Sequence, residues 1–175
     1  MYNEIYQAYI VCISDLLERP EVQSMNLIQQ HASGVSCLDH CMFVAYVTFV
    51  LCHRWRLNIV PATRAALLHD MYLCDWNTTK INKVARLFVH PKMAVENAKA
   101  CGLCSDLEQD IILNHMWPVT PLHIPRCRES FIVNLADKLC ATAEMLHLYP
   151  MLSTSKQLES ITRACLDFQV ALPPV

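Results

Sequence analysis

Apolar residues recur along this chain at intervals of three and four, punctuated by helix start and stop signals. Nowhere do they alternate with period two between Asn-Gly or Asp-Gly turns. That property restricts the chain to an all-α fold. With 54% hydrophobic residues and two glycines among 175, the chain can fill the core of one compact domain spanning residues 1–175. The punctuation predicts a bundle of roughly seven to nine helices.

Tyr2, Ile5, Tyr6, Tyr9, Ile13, Leu16 and Leu17 form an apolar stripe that ends before Pro20, and a short helix follows through Ile28. The stripe can pack internally or across a homodimer, so the chain is a monomer or a homodimer. Ser36 and Asp39 form a capping box for a helix over Cys37 to about Trp55. Pro61 suits a first helical position and opens the run AALLHD. One helix is expected over Lys80 to Val89, and a separate one starts at His90-Pro91 and closes at Gly102 in the left-handed region. Ser105 and Glu108 cap the next helix, which stops before Pro118. PVTPLHIP, Pro118 to Pro125, is an irregular loop; helices follow over Arg128 to about His147 and from about Ser153 to Val170.

Charged residues make up 17% of the chain and net to −2, so the positive field that nucleic-acid polymers or anionic membranes require is missing. The apolar run Cys41 to Cys52 reaches about 12 residues where a bilayer span needs about 20. The N-terminus MYNEIYQAYIVCISD has no basic segment of the secretory or transit kind, which leads to an expectation of a cytoplasmic protein without a membrane partner. Most of the ten cysteines lie within helical apolar patterns and read as small core residues of a reducing compartment. CGLC, Cys101 to Cys104, straddles a helix end and lacks the strand-to-helix setting that activates a redox motif.

Several polar side chains fall where core residues belong. His69 lies on the face of Ala62, Ala65 and Ala66, with Asp70 about 100 degrees around the same helix. His115 follows Glu108, Ile111 and Ile112; Asp137 shares a stripe with Val133, Asn134, Cys140 and Ala141; His40 lies in line with Val44, Val47 and Leu51. His90 is fixed by Pro91 beside it. Taken singly, each reads as a satisfied core residue. Together, buried imidazoles and carboxylates call for a counter-charge, and divalent cations supply it.

In chain order these residues are His40, His69-Asp70, His90, His115 and Asp137, within SCLDHCMFVAY, AALLHDMYLCDW, HPKMAVENA, IILNHMWP and LADKLCA. This arrangement, over about Ser36 to Glu144, resembles the signature of the HD-domain metal-dependent phosphohydrolase superfamily in its binuclear, six-ligand form. The resemblance implies two divalent ions, iron foremost with manganese or zinc as alternatives. His40, His69, Asp70 and Asp137 would hold one ion, His90 and His115 would help hold the other, and Asp70 would bridge them. His69 and Asp70 would carry the catalysis. The Gly-Tyr-Pro element and doubled histidine of the cyclic di-GMP branch are missing, since Asn114 precedes His115.

The implied activity is hydrolysis of a phosphate ester or pyrophosphate of a small nucleotide-like molecule by metal-activated hydroxide. Lys138, Lys92, Arg126 and Arg128 are candidate phosphate contacts whose plainer reading is solvated surface. Trp76 and Trp117 are candidate base-stacking residues whose plainer reading is packing. His31 is a further candidate polar contact; His53, His123 and His147 have no supporting pattern. Two other chemistries fit the same residues. One is a mixed-valent di-iron oxygenase of the same superfamily, and the other a non-catalytic module that senses a nucleotide.

Overall fold

In a computed structural model, residues 2–30, 34–74, 79 and 81–146 are described. They form seven α-helices: α1 (Tyr2–Leu17), α2 (Pro20–Ser24), α3 (Cys37–Trp55), α4 (Ile59–Leu68), α5 (Lys83–Ala100), α6 (Asp106–Asn114) and α7 (Arg128–Met145). A single 3₁₀ turn, Met25–Leu27, follows α2. No strand occurs among the described residues, where Gln29 and Ser36 make an isolated bridge. The expected helix over about 153–170, and His31, Trp76 and His147, lie outside the described residues.

The local signals place most helix ends. Ser36 accepts from the backbone N–H of Asp39 while Asp39 accepts from that of Ser36, so α3 starts at Cys37. Ser105 and Glu108 close the same reciprocal pair at the start of α6. Gly102 adopts φ 67 just past α5, a conformation that a side chain would oppose.

α4 forms the centre, packing on α1, α3, α6 and α7. Its Ala65, Ala66, Leu67 and Leu68 are wholly buried, and the small alanines let neighbouring helices come close. From α1, Tyr9, Ile13 and Leu16 enter the same core, and the Tyr9 hydroxyl donates to the carbonyl of Met42 at 2.9 Å. The N-terminal stripe is thus used within the chain.

Two expectations change. The proposed break at His90-Pro91 does not occur: α5 runs through Pro91 as one helix. An interior proline costs about 3 kcal/mol through its missing N–H and ring clash. Here Pro91 lies on the buried stripe of His90, Ala94 and Ala98, and the Asn97 amide donates to the Met71 carbonyl at 2.8 Å. Burial along the stripe outweighs the local cost. Second, α4 opens two residues ahead of Pro61 and ends at Leu68, with His69 as its C-cap and Asp70 in the turn beyond. Pro61 still lies in the first turn, where its missing N–H costs nothing.

Candidate metal centre

Four helices bring their imidazoles to one buried place. His40 stands in the first turns of α3, His90 mid-way along α5, and His69 and His115 are the C-caps of α4 and α6. Asp137 comes from α7 and Asp70 from the turn after α4. His40 and His69 are fully buried, and the other members are nearly so. All six residues singled out along the chain therefore converge.

Each ring is held from behind. His69 Nδ1 lies 2.8 Å from the Ala66 carbonyl, His90 Nδ1 2.9 Å from that of Arg86, and His115 Nδ1 2.7 Å from that of Ile112. A carbonyl only accepts, so these three rings carry a proton on Nδ1 and turn Nε2 inward as the atom left for a ligand. His40 Nδ1 instead meets a carboxylate, Glu144 Oε1, at 2.8 Å.

The inward atoms form two lobes. Asp137 Oδ1 lies 3.2 Å from His40 Nε2 and 3.6 Å from His69 Nε2. Asp70 Oδ1 lies 3.3 Å from His90 Nε2 and 3.9 Å from His115 Nε2, while its Oδ2 is 3.7 Å from His69 Nε2. Two sets of donor atoms, from His40, His69 and Asp137 and from His69, Asp70 and His115, each fall within 4.8 Å of one another. His69 belongs to both sets. His90 Nε2 lies 3.0 Å from His115 Nε2. With both Nδ1 atoms protonated this contact opposes two lone pairs, which is repulsive unless positive charge enters between them. His69 Nε2 and Asp70 Oδ1 are also buried without a hydrogen-bond partner. Orphaned nitrogen and oxygen donors facing one another suit a borderline divalent cation.

The titration behaviour reflects how closely these imidazoles and carboxylates face one another. Burial by itself would raise the pKa of Asp70, but the imidazoles of His69, His90 and His115 drive it below the ordinary carboxylate value. Asp137 is likewise lowered despite burial, through His40 and His69. His115 is pushed down to about 3 by burial and by the neighbouring His69 and His90, so it stays neutral. His40 and His69 are raised: burial opposes this, but Asp137 and Glu144 around His40, and Asp70 and Asp137 around His69, prevail.

The other candidates are placed less uniformly. Lys138 is half-buried, and its ammonium donates to the His115 carbonyl at 3.1 Å. Desolvation lowers its pKa against the pull of Asp137. Lys92 and Arg128 are exposed, as is Arg126, which lies 3.8 Å from Asp110. Trp117 is half-buried, edge-on to Phe131 at 5.8 Å, and its carbonyl is held by the Asn134 amide. Three residues at the site escaped sequence reasoning. Glu144 follows Asp137 by seven positions, two turns along the same face, so its buried stripe was a usable signal. Gln30, whose amide donates to Asp70 Oδ2, and Tyr72, whose hydroxyl donates to Gln30 Oε1 at 2.7 Å, carried no local signal.

Fold and site together define an all-helical domain that gathers buried imidazoles and carboxylates for divalent metal binding. The family model described as HD domain matches residues 37–142, and the chain belongs to that family, whose members are mostly metal-dependent hydrolases. Neither the curated proteins nor the solved structures contain a match. Among the described residues, no helix is long and apolar enough to cross a membrane, and the nine described cysteines are free.

Proposed function

We propose that this protein is a metal-dependent phosphohydrolase that cleaves a phosphate ester or pyrophosphate of a small, nucleotide-like molecule, using two divalent ions. The observation that carries the metal reading is the approach of His90 Nε2 to His115 Nε2 at 3.0 Å, each ring proton already committed to a helix carbonyl. Membership of the HD family supports hydrolysis as the chemistry.

When bound, the ions would supply hydroxide near neutral pH and a clamp for phosphoryl oxygens. His40, His69 and Asp137 would hold one ion; His90 and His115 would hold the other, with Asp70 between them. The chain's own contribution is preorganisation. Backbone carbonyls of Ala66, Arg86 and Ile112 fix three rings in one tautomer, so no ring has to reorient when substrate arrives. Asp70, its pKa lowered by the surrounding imidazoles, is suited to direct a proton-bearing nucleophile, and it and His69 would take the central catalytic places. Gln30, held by Tyr72, orients the Asp70 carboxylate from the opposite side. Lys138, beside Asp137, and the exposed Lys92 and Arg128 would be the cations offered to phosphate, with Trp117 for the organic portion and His31 as a further polar contact. The free thiols fit the reducing, cytoplasmic setting expected for such an enzyme.

The test is a screen of nucleotides and simple phosphate esters with metal-loaded protein under anaerobic conditions. Release of phosphate or nucleotide, sustained by manganese as well as iron, supports the proposal. Turnover that needs both iron and oxygen, with an electron paramagnetic signal on partial reduction, replaces it with oxygenase chemistry. Nucleotide binding without turnover by any metal form replaces it with a sensing module.

A further inference from the structure

Glu144 is fully buried near the C-terminal end of α7 and belongs to neither set of converging donor atoms. Its Oε1 lies 2.8 Å from His40 Nδ1, while Oε2 is buried without a hydrogen-bond partner. The carboxylate of α7 is thus anchored on α3 through the imidazole alone. Burying an acid for one contact is costly. The cost is explained if the contact acts on the ring.

α7 supplies both neighbours of that ring. Asp137 Oδ1 faces His40 Nε2 at 3.2 Å, and Glu144, two turns on, faces Nδ1. The other three imidazoles donate to neutral backbone carbonyls. A carboxylate behind a metal-facing imidazole fixes its tautomer more firmly and makes its second nitrogen a stronger donor. The two lobes of the site are therefore chemically unequal.

We propose that Glu144 is a positioning residue for His40, and that it makes the lobe of His40, His69 and Asp137 the tighter of two metal subsites, the one that fills first. This rests on the metal-centre reading above.

The experiment is a competitive titration of metal-stripped, full-length protein with zinc(II), resolving two binding steps. Glu144→Gln keeps the shape but removes the charge, and is expected to weaken the first step about 10- to 100-fold while leaving the second within about twofold. Glu129→Gln is the control. Glu129 is another buried acid of α7, and its Oε1 accepts the backbone N–H of Asn58 at 2.9 Å, so its change is expected to lower stability without moving either step. Wild-type protein adds a readout independent of folding in the variant. In the zinc-loaded form, a nitrogen-15 correlation spectrum is expected to show the His40 Nδ1 proton at lower field than those of His69, His90 and His115. Equal shifts of both steps in Glu144→Gln, no shift in either, or a His40 proton indistinguishable from the others overturns the inference. Wild-type protein that takes up no zinc overturns the metal-centre reading and this inference with it.

Discussion

Replacing Asp70 by asparagine tests the centre where its parts meet. Asp70 Oδ1 lies 3.3 Å from His90 Nε2 and 3.9 Å from His115 Nε2, and Oδ2 lies 3.7 Å from His69 Nε2. A cation among donors that are within 4.8 Å of one another sits closer than that to the carboxylate. At about 4 Å and an effective dielectric near 20, a unit charge pair interacts by about 4 kcal/mol, and a dication doubles this. Asparagine keeps an oxygen dipole and is easier to bury, which offsets about half. The expected net loss, about 4 kcal/mol, corresponds to a roughly thousandfold weaker metal affinity. The measurement is competition of zinc or manganese against a chromophoric chelator, with far-ultraviolet circular dichroism to follow the fold. Because asparagine is isosteric and Asp70 lies in a turn past α4, the helical signal is expected to persist while the proposed phosphohydrolase activity disappears. Affinity within about threefold of wild type, with the fold intact, would refute the reasoning that this carboxylate counterbalances a cation.

On the proposed two-ion reading, His90→Ala is expected to lower zinc stoichiometry from two per chain to one by elemental analysis, since His90 serves only the lobe it shares with His115 and Asp70. Metal affinity is expected to rise with pH near neutrality, about tenfold per unit for each proton displaced, because His40 and His69 carry raised pKa values and must yield protons, whereas His115, held at about 3, has none to give. The raised folded-state pKa of His40 also stabilises the metal-free fold below the unfolded imidazole value of about 6.5. That contribution is lost as pH climbs through the folded value, so thermal melts of stripped protein should weaken over this window and those of loaded protein should not. Leu16→Ala, fully buried in α1, should cost about 2–5 kcal/mol in urea unfolding and leave zinc affinity unchanged. Ser105→Ala removes the cap of α6 and should cost about 1 kcal/mol; an unchanged midpoint would show the box to be energetically idle.

The sequence by itself determined the helical class, the ends marked by Ser36 with Asp39, Ser105 with Glu108 and Gly102, and the inward direction of His40, His69, His115 and Asp137. Those features depend on neighbours within about two turns of helix, where periodicity and capping chemistry operate directly. Tertiary structure alone decided that α5 continues through Pro91, since a local cost there is outweighed by burial against other helices. It also decided that the imidazoles at the ends of α4 and α6, His69 and His115, meet those of α3 and α5 in one buried place. The partners of Glu144 and Gln30 stand 104 and 40 positions away in the chain, at distances that no local pattern encodes. Which buried polar groups compensate one another is settled only when the helices pack, because that is when water leaves and each unpaired donor or lone pair must find an opposite.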